Sequence, residues 1–400
     1  MKGYMGKILR VNLSKRKIFA QDFPEDLAKL YIGGSGLGSR FLFDETVEKI
    51  NPFGEENVLM FLTGPLVGTT IPCSGRHAVI AKSALGIWGE GDVGGSWGVY
   101  LKRAGYDGII IKGKSEKPVY LWVTEEKISI KDASHLWGKD TYEVEGIIKK
   151  ETHERAVISC IGPAGEKMSR MAVIFNNGIH ARAAGRGGLG AVMGSKHLKA
   201  IAVYGRRRVE VAYPDKVRSL TKESAAKIIE RQKRLREFGT PGGVVGKHKI
   251  GDMPIKNWSL GRWDDEKINK ISGQTMADTI LTGKYSCASC VIGCGRVVKV
   301  NDGPFAGVNG GGPEYEACGS LGSMCLIDDL KAIAMGNELC NRYGLDVISA
   351  GSAVAFAMEC YEKGLITQAD TDGIKLEWGN AKAMVDMIQK IGKREGLGKL

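Results

Sequence analysis

From Lys7 to Tyr204 the chain repeats one pattern, a short apolar run followed by a turn marked with glycine or proline. The runs include Val58-Leu59-Met60-Phe61-Leu62, His77-Ala78-Val79-Ile80-Ala81, Gly108-Ile109-Ile110-Ile111, Val119-Tyr120-Leu121-Trp122-Val123, Val157-Ile158-Ser159-Cys160-Ile161, Met171-Ala172-Val173-Ile174-Phe175 and Ala200-Ile201-Ala202-Val203-Tyr204. Runs this short, rich in β-branched and aromatic residues, read as strands. Gly64-Pro65, Gly113-Lys114 and Gly162-Pro163 punctuate them. Near the start, Lys7 to Leu13 alternates, Ser14-Lys15-Arg16-Lys17 turns and Ile18-Phe19-Ala20 continues, which is a hairpin pattern. Helical stretches in this half are short, at residues 26–31 and 141–151.

The pattern changes near Pro214. Residues 214–238 are charged, with Val217, Leu220, Ala225 and Ile228 at helical spacing, and Thr240-Pro241-Gly242-Gly243 ends the stretch. Further on, Asp328 is expected to cap a helix that Gly344 ends, Ser349 a second that Gly364 ends, and Asn380 a third running to about Arg394. The fold class is therefore α+β, a β-rich domain over residues 1–210 followed by an all-α domain over 211–400.

Composition narrows the function. Glycine supplies 56 of 400 residues, about twice the usual share of ~7%. It has no three-residue period, so collagen is excluded and close backbone approach to a ligand is left. No apolar run reaches the roughly 18 residues needed to span a bilayer. Met1-Lys2-Gly3-Tyr4-Met5 lacks the apolar core of a signal peptide, so a cytoplasmic protein is expected. The net charge of +12 suits a polyanionic cofactor or an acidic protein partner. Arg206-Arg207-Arg208 is the densest basic run, but Val209-Glu210-Val211 after it reads as a strand. The run is taken as a solvated junction, and nucleic acid is not expected as a partner.

Nine cysteines without a secretion signal point to metal or core rather than disulfides. Cys287-Ala288-Ser289-Cys290-Val291-Ile292-Gly293-Cys294-Gly295-Arg296 places three thiols in one loop, with Gly293 and Gly295 letting the backbone wrap. Thiolates suit an iron–sulfur cluster or zinc. A zinc site normally shows a second Cys-x-x-Cys or His pair, and none follows. A [4Fe–4S] cluster is favoured over zinc and over unliganded core thiols. Arg296 would reach a cluster sulfur or stay on the surface. Cys73, Cys160, Cys325, Cys340 and Cys360 read as small packing residues.

Gly185-Arg186-Gly187-Gly188-Leu189-Gly190 matches G-x-G-x-x-G, but the strand before it ends too early and the next begins too soon for a dinucleotide fold. What remains is an amide-rich loop flanked by Arg182 and Arg186. Gly89 to Gly98 and Cys73-Ser74-Gly75-Arg76 are similar, and the three together point to an anionic ligand.

These features together resemble the tungsten-containing aldehyde ferredoxin oxidoreductase family. The resemblance runs along the whole chain, through Gly6-Lys7-Ile8-Leu9-Arg10-Val11-Asn12-Leu13-Ser14, Gly64-Pro65-Leu66, Gly75-Arg76, Ala104-Gly105-Tyr106-Asp107 and Asp132-Ala133-Ser134-His135-Leu136-Trp137-Gly138-Lys139. It continues through Ile161-Gly162-Pro163-Ala164-Gly165-Glu166, Arg182-Ala183-Ala184-Gly185-Arg186-Gly187-Gly188, Gly194-Ser195-Lys196, the cysteine triplet and Gly312-Pro313-Glu314-Tyr315-Glu316.

The resemblance implies a β-rich base carrying two pyranopterins that hold tungsten, which sequence does not distinguish from molybdenum, beside one [4Fe–4S] cluster. It implies that Arg76, Gly94, Gly95, Arg182 and Ala183 contact pterin and phosphate. Asp92 stands where the family often has Asn near a bridging Mg2+, and a carboxylate ligates magnesium at least as readily. Gly344-Leu345-Asp346 resembles the tail of a pterin motif whose first Asp is Asn341 here. Glu316 resembles the glutamate that serves proton transfer, and Cys287, Cys290 and Cys294 the cluster ligands. The implied activity is oxidation of an aldehyde to a carboxylic acid, with electrons passed to ferredoxin or another electron-transfer subunit.

Two alternatives stay open. In the tungsten subunit of ATP-independent benzoyl-CoA reductases, of the same family, a cysteine ligates tungsten. Cys318 is a candidate for that role, and the substrate would then be an aromatic acyl-CoA. The other alternative is a cofactor-free structural relative. The family's dimer-bridging Glu-x-x-His is not matched at Met335-Gly336-Asn337-Glu338, so an oligomer is allowed but not specified. Relatives are longer, so a further helical domain, the fourth cluster cysteine, the second pterin motif and a catalytic histidine are expected beyond residue 400.

Overall fold

A computed structural model describes residues 1–399. The chain divides into two compact units. Residues 1–228 with Cys287–Val291 form the first, and Ile229–Ser286 with the residues from Ile292 onward form the second.

The first unit holds two six-stranded sheets. One runs in the order Lys17–Asp22, Lys7–Asn12, Gly108–Lys112, Leu59–Leu62, His77–Lys82, Trp88–Val93. The other runs Arg182–Ala184, Ile174–Asn176, Val157–Cys160, Leu198–Val203, Val119–Val123, Ile128–Asp132. Neighbours are antiparallel except Lys7–Asn12 beside Gly108–Lys112 and Leu198–Val203 beside Val119–Val123.

Both faces of each sheet are buried because side chains alternate along a strand. Leu9, Phe61, Val79, Ile109 and Ile111 of one sheet share a core with Leu121, Val123, Ile201 and Val203 of the other. The offset residues Ile8, Met60, Ile80 and Ile110 face the opposite way, onto Leu37 and Phe41 of the helix Gly34–Glu45. On the far side Tyr120, Ile158 and Ala202 meet Val144 and Ile148 of the helix Thr141–Glu151. A capping box made by Asp140 and Glu143 starts that helix. Trp97, fully buried between the sheets, donates its indole N–H to the Ile201 carbonyl at 3.0 Å.

The helix Leu189–Ser195 is buried along its whole length. Having no polar face, it shows no amphipathic period, which is why the sequence reads loop there.

The second unit is not all helix, a correction to the expected all-α domain. Leu281–Tyr285, Gly295–Val300 and Val308–Gly311 form a three-stranded antiparallel sheet. Val298, Val300 and Val308 supply its apolar side, packed on Met276, Leu330 and Ala334. The helices Leu330–Tyr343, Val347–Glu362 and Ala381–Lys393 follow. Asp329, Asp346 and Asn380 cap them, so the first two begin at residues other than those expected. Among the described residues no helix is long and apolar enough to cross a membrane.

Candidate functional site

The cysteine loop joins two strands of the second unit's sheet, leaving Leu281–Tyr285 and returning as Gly295–Val300. Its stretch Cys287–Val291 belongs to the first unit. There the Ala288 amide donates to the Gly95 carbonyl at 2.9 Å, the Cys73 amide to the Ser289 carbonyl at 2.7 Å, and the Ser289 hydroxyl to the Thr69 carbonyl at 2.9 Å.

Gly94 follows the strand Trp88–Val93 and has no room for a side chain. A Cβ there would stand 2.8 Å from Cys287 Sγ and 3.6 Å from Arg182 Cδ. Gly95 is left-handed at φ 86°, and a Cβ would stand 2.0 Å from Asn177 Oδ1. Asn177 holds the next turn, accepting from the Ser96 amide at 3.0 Å and donating to its hydroxyl at 2.8 Å. The buried Oδ1 of Asn176 has no hydrogen-bond partner.

The expected anion-binding residues lie around this turn. Exposed Arg76 donates through Nη1 to the Asp92 carbonyl at 3.1 Å, leaving the exposed Asp92 carboxylate outside that bond. Arg182 donates to the His180 carbonyl at 3.0 Å from the short strand it shares with Ala183, which pairs with Phe175. The first unit thus brings together Arg76, Asp92, Gly94, Gly95, Arg182, Ala183, Cys287 and Cys290.

Cys73 joins them unannounced by the sequence. Its exposed thiol lies 4.0 Å from Cys290 Sγ. Its backbone is left-handed at φ 62°, as is Ser289's at 56°, so the two turns interlock at residues where only specific contacts hold such a conformation. Only the nearby Gly75-Arg76 motif signalled this segment in the sequence. Burial raises the Cys73 thiol first, then the charges of its cysteine neighbours.

In the second unit, Cys294 is half-buried before the strand Gly295–Val300. Arg296 beyond it is buried to 1% exposure. It does not lie on the surface, and its charge lies near the Cys294 thiol. Its guanidinium donates to the carbonyls of Cys294 (3.1 Å), Gly293 (2.7 Å), Glu237 (2.6 Å) and Arg236 (3.3 Å). Four carbonyls around one planar fork tie the returning cysteine loop to the end of the helix Lys233–Phe238.

Glu316 is exposed, on the first turn of an irregular helical stretch from Tyr315 to Cys325. Cys318, two residues on, is fully buried, and burial with nearby Glu314 pushes its thiol up to about 12. Gly344 ends its helix in the left-handed conformation, and Asp346 accepts the amides of Ile348 and Ser349 at the next helix's start. Buried Cys160, Cys325 and Cys340 are packing residues with raised thiols.

Among the described residues no three Cys, His, Asp or Glu side chains converge on one ion-sized point. A cubane cluster is larger than an ion and takes its thiolates further apart. Soft thiolates on a wrapping loop fit iron–sulfur. The side-chain-free turn at Gly94 and Gly95, between two arginines, fits a flat phosphorylated ligand.

The chain is similar to known proteins along its length. The model of the aldehyde ferredoxin oxidoreductase N-terminal domain matches residues 8–205, and that of domains 2 and 3 of the same protein matches residues 219–400. The chain is 44% identical to a tungsten-containing aldehyde ferredoxin oxidoreductase of Pyrococcus horikoshii, an alignment covering 100% of this chain and 66% of the relative. It is 34% identical to the WOR-like subunit of an aliphatic sulfonate oxidoreductase of Pyrococcus furiosus, over 100% of this chain and 66% of that one. Among solved structures, the active site complex BamBC of benzoyl coenzyme A reductase, with 1,5-dienoyl-CoA, superposes with a TM-score of 0.87 at 30% identity, covering 100% of this chain and 61% of that one. The chain therefore spans just under two thirds of the length of the curated relatives it matches.

Proposed function

The chain belongs to the aldehyde ferredoxin oxidoreductase family, and from that premise we propose that it carries the cofactor bed of an enzyme oxidising an aldehyde to a carboxylic acid. The balanced change is aldehyde plus water to acid, two protons and two electrons. The electrons leave through a [4Fe–4S] cluster to ferredoxin or an equivalent subunit. When bound, the tungsten bis-pyranopterin supplies the two-electron chemistry and the cluster the one-electron exit.

The observation that carries this reading is the fit of Cys287 Sγ against Gly94, beside Arg182. This reading assigns Cys287 to the cluster and the Gly94–Gly95 turn to the pterin, and their proximity supports it. Arg76 and Arg182 offer guanidinium forks to pterin phosphates, and the Gly94–Gly95 turn offers exposed backbone in place of side chains. Asp92 offers a carboxylate to Mg2+. Cys287, Cys290 and Cys294 supply thiolates to the cluster. Glu316, on the second unit, is assigned to proton transfer, and Gly344, Leu345 and Asp346 to the edge of a pterin. A cytoplasmic setting follows from the ferredoxin-linked chemistry.

The acyl-CoA reductase alternative rests on Cys318. That side chain is completely buried. The relatives at 44% identity are aldehyde ferredoxin oxidoreductases, so the aldehyde reading is preferred. Anaerobically purified protein is expected to reduce benzyl viologen when given an aldehyde. Reduction with none of a panel of aliphatic and aromatic aldehydes, in protein containing tungsten, would overturn the substrate assignment.

A further inference from the structure

The basic run Arg206-Arg207-Arg208 is exposed, as expected, but it does not lead into a strand. Residues 206–210 form no regular element. Residues 206–209 line a cavity of about 580 Å³ within the first unit, whose wall carries six arginines, Arg103, Arg155, Arg206, Arg207, Arg208 and Arg218, and no aspartate or glutamate. That volume lies within the usual range for small-molecule sites, roughly 300–1,000 Å³.

The backbone is built to gather these charges. Gly205 lies so close to the end of the helix Trp97–Arg103 that a Cβ would stand 2.2 Å from the Ala104 nitrogen. The Arg207 amide donates to the Arg103 carbonyl at 3.1 Å. Two arginine-bearing segments are thereby held side by side despite mutual repulsion. The 18-residue helix Pro214–Arg231 starts at the cavity, where Pro214, Val217 and Arg218 line it. It presents the positive end of its dipole there.

The carboxylates nearby do not neutralise the set. Glu125 pairs with Arg207 at 3.6 Å and with the Arg206 backbone amide. Glu154 lies 3.6 Å from Arg155, and Asp215 3.3 Å from Arg218. Among the described residues, Arg103, Arg206 and Arg208 make no ion pair. One wall is aromatic. Tyr204 stacks on His153 at 3.9 Å between centroids, and Arg103 lies over Tyr100.

We propose that this cavity is a binding site for a small molecule carrying two or three linked phosphates, the phosphate chain lying among Arg103, Arg206 and Arg208 and the organic body against Tyr204. Guanidinium forks match phosphate oxygens in pairs. A chain of phosphates supplies the several negative charges that one carboxylate lacks. Arg76, Arg182 and the cysteines are not among its lining residues, although Thr69 of its wall accepts from the Ser289 hydroxyl of the cysteine loop, and it does not depend on the tungsten reading.

The test is calorimetric titration of the whole chain with inorganic triphosphate and, separately, with ATP, at about 0.15 M salt, where the Debye length is ~8 Å. Saturable one-to-one binding of either is expected, and tighter binding of ATP would identify the organic body as part of the recognition. Replacing Arg206→Ala with Arg208→Ala together is expected to weaken binding roughly tenfold or more. Both side chains are exposed, so the fold should stand, and the Arg→Lys pair should restore part of the affinity. Lys222→Ala with Arg231→Ala, exposed and off the cavity, is expected to leave it unchanged. Triphosphate should also protect residues 206–208 of the unaltered chain from phenylglyoxal. The proposal fails if neither ligand saturates, if the two pairs of alanine variants weaken binding equally, or if only an acidic protein or a nucleic acid binds.

Discussion

The Sγ atoms of Cys73 and Cys290 lie 4.0 Å apart although 217 residues separate them in sequence. The Cys73 amide is bonded to Ser289, the residue before Cys290, so the contact is fixed by backbone as well as by side chains. With iron removed, treatment with diamide should therefore join these two sulfurs in a disulfide while the reagent takes up the two hydrogens. Peptide mass mapping should find the Cys73–Cys290 link in the iron-free chain, and not in Cys73→Ser or in the iron-loaded protein. Cross-linking of Cys287 to Cys290 instead would contradict the geometry.

Gly94→Ala should damage the cysteine loop more than the fold. The added methyl would press on Cys287 Sγ, whereas the strand before it has its core elsewhere. Iron content after anaerobic reconstitution should fall severalfold. Gly95→Ala combines a positive φ with a clash on Asn177 and should cost about 1–3 kcal/mol of stability as well. A Gly94→Ala protein with full iron content would remove the close approach on which the site reading depends.

Arg296→Lys should behave almost as badly as Arg296→Ala. One ammonium cannot reach the four carbonyls that the fork holds at 2.6–3.3 Å. A loss of about 2–4 kcal/mol is expected from carbonyls left without donors. Denaturant unfolding followed by tryptophan fluorescence checks this. Unchanged stability in the lysine variant would show that water replaces those bonds.

Acid should destabilise the first unit through His77. Its ring is fully enclosed beside Phe61 and Trp97, both nitrogens lack partners, and burial lowers its pKa to about 3 from 6.5. Below 6.5 the unfolded chain takes up a proton that the folded one refuses, so stability is complete above 6.5 and is lost as pH falls toward 3. The effect is on the order of 5 kcal/mol at most. Melting temperatures measured from pH 7 to pH 4 should fall less steeply in His77→Phe than in the parent. Parallel curves would refute the assignment.

The sequence was most legible where one face of an element meets solvent or a cap is local. Asn380 caps its helix as read, and the short apolar run Gly108-Ile109-Ile110-Ile111 correctly marks a strand, both of whose faces are buried. It was least legible where burial erases pattern, as in the helix Leu189–Ser195. The sheet of the second unit was missed because its middle strand follows directly on the cysteine loop. Asp328 and its neighbour Asp329 both suit a cap, and Asp329 holds it. Only the fold shows that Asp328 pairs with Lys270 at 2.9 Å. Cys73 and the arginine cavity share one cause of invisibility, since each is assembled from segments far apart in sequence. Spacing revealed the three cysteines of one loop but not the thiol of Cys73 lying beside Cys290.

The central claim is that the cysteine loop and the Gly94–Gly95 turn together form a bed for a tungsten pterin and a cluster. It is tested most directly by elemental analysis joined to low-temperature EPR of anaerobically purified, dithionite-reduced protein. The expected result is tungsten together with about four iron atoms per chain, with a reduced-cluster signal that is lost in Cys287→Ser and in Cys290→Ser. Zinc in place of iron, or a colourless protein without tungsten or molybdenum, would contradict it.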